Sequence, residues 1–140
     1  MVNLTNKVNE LNSLLSHEIW LDMELFEIRK GCLTIIGSID FTYGHSIEIR
    51  FEDVFYLNLR SEWTVETSNP FLKIVDGDEA YSINLQFRIE SGYTLFKIIH
   101  EDANSPFYIA AKSLSYNTDR VLYYKKEKLE KNERLADWLK

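Results

Sequence analysis

From Tyr81 to Glu90 apolar and polar residues alternate without a break, with Tyr81, Ile83, Leu85, Phe87 and Ile89 in one phase and Ser82, Asn84, Gln86, Arg88 and Glu90 in the other. A period of two sends successive side chains to opposite faces of a pleated strand. Ser91-Gly92 supplies a turn, and Tyr93 to Ile99, apolar on both faces apart from Lys97, reads as a return strand lying deeper in a sheet. The pattern predicts a β-hairpin over residues 81–99 at the centre of the fold.

Ahead of that hairpin, Leu4, Val8, Leu11 and Leu15 recur at spacings of three and four, which predicts a helix from about Asn3 to Ser16 with an apolar face widened by Leu14. From Ile19 the period changes. Leu21, Met23 and Leu25 alternate with Asp22 and Glu24, and the phase slips at Leu25-Phe26, as a β-bulge or a strand buried on both faces requires. A second strand spans Leu33 to Tyr43, where Gly37 marks a bend, and Gly44-His45 makes the next turn. Ser46 to Arg60 is the longest strand candidate, with Ile47, Ile49, Phe51, Phe55, Leu57 and Leu59 sharing one parity. Asp53 breaks the row, and the common parity on either side of it favours a bulge over a connection between two strands. Trp63 and Val65 carry a weaker continuation that ends at the Ser68-Asn69-Pro70 loop.

Phe71 to Val75 is a short strand, and Asp76-Gly77-Asp78-Glu79 after it reads as a hairpin turn, because the full ligand spacing of a calcium loop is absent. Phe107 to Ala111 resumes a strand that extends towards Tyr116, and Val121 to Tyr124 is either a last strand or the start of a helix. Lys125 to Lys140 predicts that helix. Its residues are good helix formers, Glu127–Lys131 and Glu130–Arg134 are favourable i,i+4 pairs, and Leu129, Leu135, Ala136, Trp138 and Leu139 give it an apolar side. The elements add up to an α+β fold, mainly antiparallel. About seven strands are expected in one strongly bent sheet, a sandwich or a partly open barrel, with an N-terminal and a C-terminal helix packed on it.

Composition sets the scale of this fold. A chain of 140 residues that is 45% hydrophobic and 14% aromatic, with 5 Gly and 2 Pro, is expected to form a single globular domain over residues 1–140. The polar first residues contain no signal-peptide pattern and no apolar run approaches a membrane span, so a cytoplasmic home and no membrane contact are expected. Cys32 is the sole cysteine, which excludes an internal disulfide and a thiolate metal cage within one chain.

Charge narrows the function classes. Residues 1–118 hold 9 Lys/Arg against 17 Asp/Glu, a balance of −8, whereas residues 119–140 hold 7 against 5, a balance of +2. An acidic body repels phosphate backbones, so nucleic acid is not an expected partner, and a basic protein is. His17, His45 and His100 stand apart in the sequence without a metal-ligand spacing. No Gly-rich phosphate loop, nucleophile elbow or dinucleotide fingerprint is present, so no cofactor and no catalytic residue are assigned. His100-Glu101-Asp102 is the one cluster with a catalytic look, and it is also what a solvated loop looks like. The sequence thus points to a non-catalytic protein-binding module, such as an immunity protein or an adaptor. Its partner-binding residues would be Glu48, Glu52, Asp53, Glu62, Trp63 and Glu66, with Glu48 and Glu52 on one exposed face of their strand. Two other readings stay open: a carrier with an aromatic-lined cavity in a curved sheet and, more distantly, a hydrolytic enzyme. Trp138 marks a homodimer contact through the C-terminal helix.

Overall fold

The computed structural model describes residues 3–139. The expected first helix is present as α1, Leu4–Leu15, capped at its start by the Asn3 side chain, whose Oδ1 accepts the Asn6 N–H at 3.3 Å. It ends where Ser16 turns its N–H and its hydroxyl back onto the Ser13 carbonyl. Val8, Leu11 and Leu15 are buried against the core. Strands β1 (Trp20–Arg29), β2 (Cys32–Ser38), β3 (Gly44–His45), β4 (Ile47–Glu52), β5 (Tyr56–Leu57), β6 (Glu62–Glu66) and β7 (Leu72–Ile74) follow. Next come helix α2 (Gly77–Gln86) and strands β8 (Thr94–Ile98), β9 (Phe107–Ala111), β10 (Ser113–Asn117), β11 (Arg120–Leu122) and β12 (Glu133–Leu135), then one turn of 3-10 helix at Asp137–Leu139.

These strands make three open sheets in place of the one bent sheet expected. Their orders are β10-β4-β2-β1-β6, β5-β9-β8-β7 and β12-β11-β3, and every pairing is antiparallel except β11 with β12. The two larger sheets share a core in which Phe51 meets Phe96 edge-on at 5.1 Å and Trp63 meets Phe107 edge-on at 5.2 Å. The chain passes between these sheets four times, and two of the passages are tight corners, at Asp53 and Lys112. The corners lie side by side, with the Lys112 N–H on the Glu52 carbonyl at 3.0 Å and the Phe55 N–H on the Ala110 carbonyl at 2.8 Å. Helix α1 spans an open side of this pair. Lys7 donates from Nζ to the Leu114 carbonyl on edge strand β10. Asn12 accepts the N–H groups of Phe71 and Leu72 and donates to the Leu72 carbonyl on edge strand β7.

Several expectations are corrected by this arrangement. The run 81–90 is not a strand, because Tyr81 to Gln86 belong to α2, and only Thr94–Ile98 of the expected hairpin is extended. Ala80, Ile83 and Phe87 also recur at helical spacing; Ala80 and Ile83 pack on Val75, Leu95 and Ala110, and Phe87 stacks on Tyr56 at 4.4 Å, while Tyr81 and Leu85 of the alternating set stay exposed. Asp76-Gly77-Asp78-Glu79 is therefore a helix start instead of a hairpin turn, with Asp78 and Glu79 in the first turn where the helix dipole favours negative charge. The long strand from Ser46 divides at Asp53, whose φ of 54° makes it a corner between sheets instead of a bulge. The second strand stops at Ser38, and Gly44-His45 is a strand instead of a turn. Gly37 marks close packing instead of a bend: a Cβ there would lie 2.6 Å from Ile47 and 2.7 Å from Met23.

The C-terminal helix is absent from the described part of 125–140, Lys140 lying outside the described residues. In its place Glu133–Leu135 pairs in parallel with β11, and Ala136 is buried. Helix propensity is a weak preference. Here the Lys126–Glu133 ion pair at 2.7 Å and the sheet contacts override it. The bulge expected near Leu25-Phe26 is present, since the β1–β2 register shifts between Leu25 and Glu27. No helix among the described residues is long and apolar enough to cross a membrane.

Two substitutions test the account. Phe51→Ala removes a fully buried ring between the sheets and is expected to destabilise by about 3–5 kcal/mol. Asn12→Leu keeps the branched shape of the side chain but leaves the backbone edge of β7 unpaired, at a cost of about 1–3 kcal/mol. Urea melts report both, and an unchanged midpoint for Asn12→Leu would show that water serves that edge equally well.

Candidate functional site

The outer face of the five-stranded sheet divides into a covered half and a bare half. Alternation along β1 turns Leu21 and Met23 inward and Asp22 and Glu24 outward. Register then aligns Glu24 with Glu62 on β6 and with Ile36 on β2, and Ile36 with Glu48 on β4. One cross-sheet row thus runs Glu62, Glu24, Ile36, Glu48.

Around Ile36 the face is covered. Ile36 is only 2% exposed, and Val121, Leu122 and Ala136 from the small sheet and the residue after it are also buried. Polar groups fasten this cover. His45 Nε2 lies 2.7 Å from Glu48 Oε2, and Nδ1 lies 2.6 Å from the Tyr123 hydroxyl. Arg134 donates to the same Glu48 oxygen at 2.8 Å and reaches Asp119 at 3.6 Å. The Glu48 carboxylate can only accept, so Nε2–H donates to it, and Nδ1 shares a hydrogen bond with the Tyr123 hydroxyl. That tyrosine is pushed up to about 12 by burial and by the nearby charges of Glu24 and Glu48. Glu48 is held below its ordinary value, first by the hydrogen bond from His45 and then, against the effect of burial, by Arg134. Both ring nitrogens of His45 are occupied and Trp138 packs on Tyr123 at 5.0 Å, so the chain of bonds serves as a clamp between sheets.

The bare half is acidic. Thr64 on β6 sits opposite Asp22; its hydroxyl donates to Asp22 at 3.0 Å and its backbone N–H donates to Asp102 at 2.7 Å. Asp22, Glu24, Glu62 and Asp102 thereby line one shallow pocket of ≈ 270 Å³, with Phe41 in its wall and Arg60 as its one lining cation. Like charges directly across two strands oppose each other. Glu24 shows the effect: its carboxyl is raised above the ordinary value by burial and then by Glu62 and Asp22, with His45 acting in the opposite direction.

Of the residues expected to bind a partner, Glu62 and Trp63 line this pocket, and only Glu62 is exposed there. Glu48 is turned into the clamp, its side chain 19% exposed. Glu52 and Asp53 are exposed at the corner that leads from β4 to β5. Trp63 is 3% exposed in the core, and its indole N–H has no hydrogen-bond partner among the described residues. Glu66 is exposed and accepts from Ser68 and Asn69. Sequence reasoning missed Asp22, Glu24 and Asp102 as a set. The outward alternation of Asp22 and Glu24 was the available signal, and strand register was the missing one.

His100-Glu101-Asp102 is now explained by shape. His100 is buried flat against Phe107 at 3.9 Å, accepts the Asp102 N–H at Nδ1 and donates from Nε2 to the Ser105 carbonyl. This fixes the loop so that the Glu101 N–H meets the Thr64 carbonyl and the Asp102 carboxylate meets the Thr64 N–H, closing the edge of β6. Cys32 is half-buried and accepts from Arg50 at 3.2 Å. Among the described residues no group of three or more His, Cys, Asp or Glu side chains is disposed to hold a metal ion.

The two perturbed glutamates act on stability with opposite signs. Glu48 titrates below 4.5 in the folded state, so its contribution is fully present above that pH and is lost as the pH falls through the lower folded value. Glu24 titrates above 4.5, so its charged form opposes folding at neutral pH, and the opposition is relieved as the pH falls through the raised value. At pH near 7, Glu48→Gln is expected to destabilise, and Glu24→Gln to stabilise by roughly 0.2–1 kcal/mol. Urea melts of both variants at neutral and acid pH check the signs, and a destabilising Glu24→Gln would contradict the uncompensated-charge account. No known protein family, curated protein or solved structure compared with the chain matches it.

Proposed function

We propose that this protein is a non-catalytic binding module whose acidic face receives a basic segment of a protein partner, in the manner of an adaptor or a toxin-neutralising immunity protein. One observation carries the reading: four carboxylates from β1, β6 and the 100–105 loop converge on a single pocket that only one guanidinium lines. Glu48, two strands from Glu24 in the same row, has its charge compensated by Arg134, whereas Glu24 and Glu62 oppose each other. An incoming lysine or arginine relieves that repulsion, which gives binding a driving force localised to this pocket. The acidic balance of residues 1–118 adds long-range attraction, which speeds encounter at low ionic strength and weakens with salt.

Titration with hexalysine, followed by backbone amide shifts, tests this. Shifts are expected at Asp22, Glu24, Glu62 and Thr64, with affinity falling steeply between low and physiological salt. The double variant Glu24→Lys, Glu62→Lys is expected to abolish them. Equal binding by that variant would remove this face as the docking site.

A further inference from the structure

The loop after β2, residues 39–43, is a wall shared by two clefts. Phe41 lines the acidic pocket, while Ile39, Asp40 and Tyr43 line a second cleft of ≈ 490 Å³ on the other side. The wall is well braced. Ser38 Oγ accepts the Asp40 N–H at 3.0 Å, Asp40 Oδ1 accepts the Thr42 N–H at 2.9 Å, and the Tyr43 carbonyl accepts the Tyr123 N–H at 2.9 Å. Register places Ser38, the strand residue that leads into it, directly beside Asp22 of the acidic pocket.

The second cleft is built differently from the first. Gly44, Val121 and Leu122 line its buried part, and a Cβ on Gly44 would overlap the Val121 carbonyl oxygen, so the two backbones meet there without an intervening side chain. Around it stand three large apolar side chains that the fold leaves uncovered: Ile39 at 58% exposure, Tyr43 at 62% and Tyr124 at 46%. The two tyrosine rings meet edge-on at 6.5 Å. Glu18 and Asp40 put carboxylates on the lining, and Arg120 is its one cation.

We propose that this cleft is an anchor subsite for the same partner. It takes an aromatic or aliphatic side chain of the basic segment, whose cationic residues lie across the loop in the acidic pocket. The inference rests on the docking function argued above and adds the chemistry of the partner: basic, with an apolar residue next to its positive charges. Rigid, amphipathic tyrosines suit such an anchor, since they offer contact area with little side-chain entropy to lose. Charge selects the occupant. The Glu18 and Asp40 carboxylates and the adjoining pocket favour a cationic chain, and they disfavour a second copy of this protein, whose body is itself at −8.

Three synthetic peptides decide the matter: hexalysine, a hexalysine with one central residue replaced by tryptophan, and the same peptide with serine at that position. The tryptophan peptide is expected to bind about tenfold more tightly than the serine peptide, the gain of one well-seated anchor. Tyr43→Ser with Tyr124→Ser is expected to abolish that gain while leaving hexalysine affinity unchanged. Tyr124→Ser alone serves as a milder variant, with circular dichroism confirming the fold. Equal affinity for the tryptophan and serine peptides, or a gain that survives the tyrosine substitutions, overturns the anchor and leaves the acidic docking face standing. Failure of all three peptides to bind overturns both.

Discussion

An open sheet presents a row of unpaired backbone donors and acceptors along each edge, and two such sheets stacked on one core present four rows. The placement of other parts of this molecule follows from how those rows are occupied. Helix α1 serves two of them at once, a lysine reaching the edge of β10 and an asparagine amide standing in for a strand against β7. The 100–105 loop serves the edge of β6 through one amide and one carboxylate, and β5 is only two residues long. The apolar face of α1 and the buried ring of His100 therefore hold in place the groups that complete the hydrogen bonding of the sheets.

With the edges occupied, the outer face of the five-stranded sheet is where chemistry is presented, and the small sheet decides how much of it. Glutamates two strands apart in one row meet opposite fates there. Glu48 becomes the centre of a clamp with His45 and Arg134, whereas Glu24 faces another glutamate. The basic C-terminal part of the chain thus consumes one carboxylate and leaves its neighbours available. Asp102 joins the two themes, since the carboxylate that closes the β6 edge also lines the pocket.

The parts legible in the sequence were those where one period dominated. Leu4, Val8, Leu11 and Leu15 fit a helix alone and gave α1, and the slip at Leu25-Phe26 narrowed the choice to a bulge or a strand buried on both faces, of which the structure has the bulge. Residues 81–90 satisfied two periods together. Their helix leaves Tyr81 and Leu85 outside, so the alternation that suggested a strand records two apolar helix faces, one half-buried and one exposed. The C-terminal segment misled through propensity, which tertiary ion pairs and a parallel pairing outweighed. Of the acidic pocket's carboxylates only Glu62 was expected from the sequence; Asp22, Glu24 and Asp102 join it through strand register and loop closure, long-range features that no local pattern encodes.

The bond from Lys7 to Leu114 joins residues 107 positions apart, and that from Asn12 to Leu72 joins residues 60 apart. On a chain made from its N-terminus, the helix emerges well before β10, and its seat is incomplete until β10 has been synthesised. In that interval Val8, Leu11 and Leu15 have no finished surface to pack on, and the two sheet edges have no plug. Chain order and docking order therefore differ here: a helix that precedes both sheet edges in the chain can take its full seat only after the later of them, β10, is in place.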